Sequence, residues 1–347
     1  MPMPNITLTA PFTYPGGKSR IADLVWDVFG QVDCYIEPFC GSAAMALARP
    51  PNMPVTLEIL NDIDGLLVNA WRSIAYAPDE TVEYVDWWIS ELEQNSRHAW
   101  LLNRQDTLRK ALEANPKYYD AEAAGYWVWL HNVYLNGVPC DGIGPWVHTP
   151  EGLVKRDTPG LSEYDRTKPG MVKQLPQLSG YGKCTVKPSL GNRQRLAHHQ
   201  ALHDWFARLA DRLCFSTILC GEWQRGLSSF VTNQHQAVAV FLDPPYSNDL
   251  ASNTKRAVVY KNDSLTLDHD VRSWCITHGQ DRRMRIVLCG YGTVHDELLS
   301  HGWMKHRYHG YAGNGNRGKV GTPGEAHRKQ EVLWVSPGCR IAQLPLF

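Results

Sequence analysis

Several patterns that would quickly assign a chain to a class are missing from these 347 residues. No apolar run approaches the roughly 18 residues that a membrane-spanning helix needs, so we expect no membrane partner. The first residues lack the basic-then-apolar order of a secretory signal. The nine cysteines form no C-x-x-C pair and no metal-ligand spacing, which favours a reduced, cytoplasmic setting and no metal. Because 35 Lys and Arg balance 35 Asp and Glu, only local charge can indicate a partner.

The first glycine turn lacks the motifs that bind phosphate. Residues 34–45 read CYIEPFCGSAAM, which is a short apolar strand, the acidic Glu37, and a turn of small residues that leads into a helix. This turn contains neither G-x-G-x-x-G nor G-x-x-x-x-G-K-[ST]. Small residues there still let a ligand approach the backbone, as in nucleotide-binding βαβ units. Because Glu37 would repel a phosphate, a cationic or hydroxyl-rich ligand fits the turn better.

The sharpest signal that is present is Asp243-Pro244-Pro245-Tyr246, which follows the apolar run of residues 237–242. Such a run predicts a buried strand, and ligand sites gather where the strands of an open α/β sheet end. Two prolines remove two backbone donors, and they leave the Asp243 carboxylate and the Pro244 carbonyl as acceptors without local donors. A planar amino group would satisfy both acceptors, and Tyr246 offers a ring on which a flat heterocycle can stack. The alternative is an ordinary turn after a core strand.

Two further stretches suit ligand binding. Residues 12–20 read FTYPGGKSR, a turn before an amphipathic run with Lys18 at its rim, which suits an anion, although PGG is also a common loop. Residues 55–64 read VTLEILNDID, a second strand that ends in acids. An acid about 20 residues after the first turn is where such folds hold ribose hydroxyls, and Asp62 is our choice. The alternative for Asp62 is the N-cap of a helix over residues 65–74.

The order YPGGK, YIEPFCG, LNDID, a long insertion and DPPY resembles the Dam-type DNA adenine methyltransferases. The resemblance implies that residues 1–75 and 213–347 form a catalytic domain and that residues 76–212 form an inserted target-recognition domain. The implied fold is α/β, a Rossmann-like methyltransferase fold whose mostly parallel seven-stranded sheet is flanked by helices. The implied reaction transfers a methyl group from S-adenosyl-L-methionine to the N6 amino group of a flipped adenine in duplex DNA.

The resemblance also implies roles for individual residues. The implied catalytic residues are Asp243, Pro244, Pro245 and Tyr246. The implied donor pocket consists of Tyr14, Gly17 and Lys18 at the methionine end, Glu37, Pro38, Phe39 and Gly41 as a wall, Asp62 at the ribose, Glu222 and Trp223 at the adenine ring, and Asp243.

Three positions depart from the family pattern. Glu222-Trp223 stands where members usually carry Asp-Phe, and Asp64 stands where asparagine is common. Ala43 replaces the last glycine of F-x-G-x-G, which costs energy if the position needs a positive φ.

The inserted segment changes its charge along its length. Residues 76–124 hold 10 Asp and Glu against 5 Lys and Arg, whereas residues 153–212 hold 11 basic against 5 acidic residues. A second basic stretch, residues 305–330, holds 6 Lys and Arg against one acid. A basic, loop-rich stretch is what contact with the phosphate backbone requires, and a solvated surface loop is the alternative. The expected DNA-binding residues are Asn136, Gly137, Lys155, Arg156, Arg193, Arg195, Arg317 and Lys319.

Other interpretations stay open at this stage. Cytosine N4 offers the same two amino hydrogens, and RNA or a protein amide could be the acceptor. An inactive DNA-binding relative is the alternative from a different class. His199 and His203 have the i, i+4 spacing of metal ligands, but we rejected a metal because no cysteine or acidic ligand pattern accompanies them. The expected partner is double-stranded DNA, bound by a monomer or weak dimer that could act beside a restriction endonuclease.

Overall fold

A computed structural model describes residues 8–12, 14, 17–133, 139–140, 146–149, 152–155, 192–245, 266–308 and 331–340. Its strands are β1 (Cys34–Glu37), β2 (Leu57–Asp62), β3 (Trp146–Thr149), β4 (Gly152–Lys155), β5 (Ser216–Cys220), β6 (Val238–Leu242), β7 (Met284–Tyr291), β8 (Met304–Arg307) and β9 (Glu331–Val335). Its α-helices are α1 (Ala22–Phe29), α2 (Ala44–Leu47), α3 (Gly65–Tyr76), α4 (Pro78–Val85), α5 (Glu91–Ala114), α6 (Ala121–Val133), α7 (Asn192–Leu213), α8 (Ser229–Thr232) and α9 (Leu267–His278).

Seven strands form one sheet in the order β5-β2-β1-β6-β7-β9-β8. The pairs from β5 to β7 are parallel, whereas β9 runs antiparallel to both β7 and β8. The predicted α/β fold with a mostly parallel seven-stranded sheet is therefore confirmed. The order also changes direction at β1, from which the chain crosses first to β2 and later to β6, and ligand sites in such sheets lie at a point of this kind.

The central strands are apolar because both faces of the sheet are covered. All five residues of β6 are buried, and so are all four of β1. Ile36, Val240 and Ile286 from three neighbouring strands pack in one hydrophobic cluster. Burial on both faces explains why these segments are near-continuous apolar runs instead of alternating ones.

The chain divides into two compact units. The sheet unit comprises Tyr14–Ile63 and Phe215–Phe347, and the helical unit comprises Met1–Thr13 and Asp64–Cys214. The helical unit therefore includes α3, which the sequence analysis grouped with the catalytic domain. The assignment of catalysis and target recognition to two domains stays a prediction.

The helical unit is held together by packing between α3, α4, α5, α6 and α7. Trp71 on α3 and Trp127 on α6 are buried, and the ring of Phe12 contacts both. Gly125 lies where α6 crosses α4, and a side chain at this position would clash with Tyr84. None of the helices in the described part of the chain is long and apolar enough to cross a membrane.

Candidate active site

The predicted ligand residues gather at one edge of the sheet. Glu37 ends β1, Asp62 ends β2, Glu222 lies two residues after β5, and Asp243 directly follows β6. These four strands are parallel neighbours, so their carboxyl ends lie at the same edge. The acidic groups that the sequence predicted from separate motifs are thus brought to one place.

An ion pair joins the first motif to the last. The Lys18 ammonium lies 2.9 Å from Asp243 Oδ2, and the two side chains are 7% and 20% exposed. Burial alone would lower the pKa of Lys18, but the carboxylate of Asp243, with Glu331 as a weaker contributor, outweighs it and raises the pKa above its ordinary value. Lys18 is therefore a permanent cation that fixes one oxygen of Asp243. The family resemblance implied a place for Lys18 at the methionine end of a donor and did not indicate this pairing.

The glycine turn after β1 is bound to the end of β2. The backbone N–H of Gly41 donates to Asp62 Oδ2 over 3.0 Å. Gly41 has a φ of +45°, and an added Cβ would lie 2.8 Å from Tyr14 Cε1, so no other residue fits this turn without strain. Asp62 is thus fixed beside the turn, 9% exposed.

The sequence left open two details of this region, and the structure decides them. The helix N-cap is Asp64, whose side chain accepts hydrogen bonds from Leu66 N–H and Leu67 N–H, so the alternative that gave this role to Asp62 was wrong. Ala43 adopts a left-handed conformation with φ +50° and ψ +30°. The departure from glycine at this position therefore costs energy, as the sequence analysis expected.

Asn61, which the sequence analysis missed, ties two of the loops together. Its Nδ2 donates to the carbonyls of Pro38 and Gly221, each over 3.0 Å, and its side chain is fully buried. These bonds hold the loops after β1 and β5 in a fixed relation to the end of β2. A polar residue at the end of a buried strand, as in LND, is the signal that could have revealed this role.

Aromatic rings form a wall beside the loop after β1. Phe39 stacks on Trp223 with a centroid distance of 6.0 Å and an interplanar angle of 21°. Trp223 also meets Trp274 of α9 edge-on at 6.1 Å, a contact that sequence reasoning did not identify. Trp223 itself is buried, whereas its neighbour Glu222 is exposed. The exposed carboxylate is the one of this pair that can accept hydrogen bonds from a ligand.

Glu37 lies inside the sheet unit. It is 2% exposed, and the Tyr35 hydroxyl donates to Glu37 Oε2 over 3.0 Å. Burial raises the pKa of Glu37 well above its ordinary value, and the neighbouring carboxylates of Glu58 and Asp243 add to this effect. Its predicted role as a wall of the donor pocket stays a prediction.

Further titratable groups surround Asp243 on the side of β7 and β9. Cys289 is fully buried, and burial together with Asp243 raises its thiol pKa well above the ordinary value. Burial also raises the pKa of Tyr308, as do the neighbouring Cys289, Glu331 and Asp243. The thiol and the phenol are therefore uncharged near neutral pH, and Lys18 supplies a positive charge beside Asp243.

Several predicted residues cannot be located. Tyr246, Asn136, Gly137, Arg156, Arg317 and Lys319 lie outside the described residues. The backbone of Lys155 belongs to β4, and the backbones of Arg193 and Arg195 belong to α7. Their proposed contacts with DNA stay predictions.

Comparison with known families agrees with the geometry. A family model described as D12 class N6 adenine-specific DNA methyltransferase matches residues 14–137. The match includes Lys18, the glycine turn and Asp62, whereas Asp243 lies beyond it. A search of curated proteins finds no match for this chain. The family match and the fold agree with each other, so residues 14–137 of this chain are similar to the D12 class of N6 adenine-specific DNA methyltransferases.

Proposed function

We propose that this protein methylates N6 of an adenine swung out of duplex DNA, using S-adenosyl-L-methionine bound at the carboxyl edge of the sheet. The observation that carries the proposal is the 2.9 Å contact between Lys18 and Asp243. This contact joins the motif nearest the N-terminus to the Asp-Pro-Pro turn, so residues from the first and the last motif of the family pattern lie in direct contact. The family match supports adenine over cytosine as the base.

The residues at this edge fit the chemistry of the donor. When bound, S-adenosyl-L-methionine supplies an electrophilic methyl group on a sulfonium centre. Its cationic and N–H or O–H groups need acceptors, and the edge carries the carboxylates of Asp62, Glu222 and Asp243. Gly41 has a positive φ and no side chain, so a ligand can approach its backbone closely. We assign Asp62 to the ribose hydroxyls and Glu222 to the adenine amino group of the donor.

Asp243 and Pro244 would act on the acceptor base. The Asp243 carboxylate and the Pro244 carbonyl accept the two protons of the exocyclic amino group, which turns the nitrogen lone pair toward the methyl group. Lys18 keeps the carboxylate oriented while it does so. Because the donor carries its own leaving group, positioning accounts for most of the acceleration. Swinging the base out costs a few kcal/mol, which contacts in the pocket, including stacking on Tyr246, must offset.

Contact with the DNA backbone is assigned to the two basic stretches, residues 153–212 and 305–330. Their lysines and arginines would neutralise phosphates, and Asn136-Gly137 would anchor the first stretch. Binding of this kind weakens steeply as salt displaces the protein from the phosphates. The affinity for duplex DNA should therefore fall at least tenfold between about 50 and 200 mM salt.

Product analysis tests the proposal. The purified chain is incubated with methyl-labelled S-adenosyl-L-methionine and genomic duplex DNA, and the digested DNA is analysed by mass spectrometry. We expect labelled N6-methyladenine, whereas N4-methylcytosine would assign the cytosine alternative. Parallel reactions with RNA and with protein test the other acceptors. Calorimetric titration with the donor completes the test, because no binding at millimolar concentration would favour an inactive DNA-binding relative.

A further inference from the structure

A histidine cluster lies in the helical unit, and its residues have no assigned role in the methyl transfer. His199 Nε2 and His203 Nε2 on α7 lie 3.1 Å apart. Glu83 Oε1 on α4 lies 3.6 Å from His199 Nε2 and 3.5 Å from His203 Nε2. Three ligand atoms therefore form a nearly equilateral triangle. A tetrahedral ion with bonds of about 2.0–2.1 Å separates its ligand atoms by about 3.3 Å, which is the size of this triangle.

Two more carboxylates fix the orientation of the imidazoles. Asp86 Oδ2 lies 2.8 Å from His199 Nδ1, and Asp79 Oδ1 lies 2.7 Å from His203 Nδ1. An ionised carboxylate only accepts hydrogen bonds, so each Nδ1 carries a proton. Each neutral ring then presents the lone pair of its Nε2 to the other ring and to Glu83. Metal-binding histidines in proteins are held by carboxylates in this same way.

Three acceptors that converge on one point require a cation between them. Without one, the two Nε2 lone pairs at 3.1 Å repel each other and the Glu83 carboxylate. The cation can be a proton, which makes one ring an imidazolium, or a metal ion. Two nitrogens and one carboxylate oxygen with carboxylate-bound imidazoles are the ligands and outer contacts that Zn²⁺ prefers.

We propose that His199, His203 and Glu83 bind one Zn²⁺ ion, which leaves a fourth position for water. The ion would link α4 to α7, the helix that ends the basic part of the insertion. The sequence showed the two histidines but not the acid, because Glu83 comes from a helix far earlier in the chain. His199 and His203 are 34% and 20% exposed, and Glu83 is 63% exposed, so the ion can reach the site.

The test measures zinc binding by the untagged full-length chain. Equilibrium dialysis followed by metal analysis should give one Zn²⁺ per chain, and competition with a chromophoric chelator gives the affinity. We expect His203→Ala to weaken binding at least tenfold and Asp79→Asn to weaken it about tenfold. The matched control is His269→Ala, which removes an exposed imidazole from α9 in the sheet unit and should leave the affinity unchanged.

Further variants and a thermal readout keep the test decisive if His203→Ala folds poorly. Glu83 and Asp79 are 63% and 80% exposed, so Glu83→Gln and Asp79→Asn should not disturb packing. Zinc should raise the thermal midpoint of the wild type and of His269→Ala, but not that of Glu83→Gln. Equal zinc affinity in the wild type and Glu83→Gln would overturn the proposal. So would the lack of stoichiometric zinc in the wild type, which would assign the site to a shared proton.

Discussion

The carboxyl edge of the sheet and the histidine cluster are both convergent polar sites, yet they are assembled differently. At the sheet edge, each group ends or closely follows a strand, and parallel pairing brings the ends of β1, β2, β5 and β6 together. In the cluster, Glu83 and the two histidines come from helices far apart in the chain, and no general rule of topology makes α4 and α7 neighbours. A site at the end of parallel strands can thus be predicted from motifs, whereas a site between distant helices cannot.

The two sites also differ in how charge is balanced. At the sheet edge, the Asp243 carboxylate meets the Lys18 ammonium, so the charge is neutralised by the protein itself. In the cluster, two imidazole lone pairs and three carboxylates converge, and the balance must come from an added cation. We propose that the first arrangement positions a reacting group and that the second binds an ion.

The largest effect should follow from Asp243→Asn. Asparagine keeps the shape but removes the charge that accepts the amino protons, so we expect methyl transfer to fall by at least about 100-fold, as for the loss of one preorganised catalytic contact. Donor binding should survive in part. Radiolabel transfer to duplex DNA measures the first quantity and calorimetry the second.

Glu297→Gln is the matched control for that substitution. Glu297 pairs with Arg272 over 2.9 Å in the same sheet unit, so its loss breaks an ion pair that involves none of the predicted site residues. It should keep most of the wild-type rate. Equal losses in the two variants would contradict a catalytic role for Asp243.

A smaller effect is expected for Lys18→Gln. The substitution removes the ammonium that contacts Asp243, and losing one partner of a partly buried polar contact should cost about 1–3 kcal/mol of the free energy of unfolding. Because the pKa of Lys18 is raised in the folded state, its stabilisation is fully present below the unfolded value of 10.5 and is lost only as pH rises through the folded value.

Chemical denaturation at several pH values measures this difference. The deficit of Lys18→Gln relative to the wild type should be constant between about pH 6 and 9, because Lys18 stays charged throughout that window. A deficit that disappears at pH 9 would contradict the pairing. Lys18→Arg keeps the charge and should recover part of the stability.

A still smaller effect on stability is expected from glycine substitutions in the turn after β1 and in α2, the helix that follows it. Ala43 has a left-handed conformation, so Ala43→Gly should relieve about 1–2 kcal/mol of strain, offset in part by the entropy of glycine in the unfolded chain. We expect a net gain below about 1 kcal/mol. Ala46→Gly in α2 should instead cost about 1 kcal/mol. Thermal unfolding of the two variants compares them, and the same sign for both would argue against strain at Ala43.

The last effect concerns the pH dependence of stability at Glu37. Because burial raises the pKa of Glu37, the folded chain keeps a proton that the unfolded chain loses above its ordinary value of 4.5. This group therefore stabilises the fold least at high pH. Glu37→Gln should remove that contribution, so its stability should fall less than that of the wild type between pH 5 and 9. If the free energy of unfolding, measured by chemical denaturation, has the same slope against pH in Glu37→Gln and in the wild type, the raised pKa is contradicted.

Much of the sheet unit was predictable from the sequence. Apolar runs indicated the places of β1, β2 and β6, and the acids that end or follow them indicated the edge where a ligand would bind. The pairing of Lys18 with Asp243 was not predictable, because it depends on how the N-terminal turn lies against β6. Asn61 was missed because an isolated polar residue at a strand end looks like the start of a loop.

The helical unit was less predictable in its contacts. The sequence indicated a change of charge along the inserted segment, but nothing in it indicated the register between the helices. The rejection of a metal at His199 and His203 rested on the absence of a nearby acid in the sequence, and α4 supplies Glu83 in space. Contacts between distant helices depend on packing over the whole unit, which no short motif encodes.

A crystal structure of the chain soaked with S-adenosylhomocysteine tests most directly whether the edge of the sheet is the donor site. We expect the product to lie beside the Gly41 turn, with its ribose hydroxyls at Asp62, its adenine amino group at Glu222 and its sulfur facing the Asp243–Pro244 turn. A product bound elsewhere, or one whose sulfur faces away from Asp243, would contradict the account.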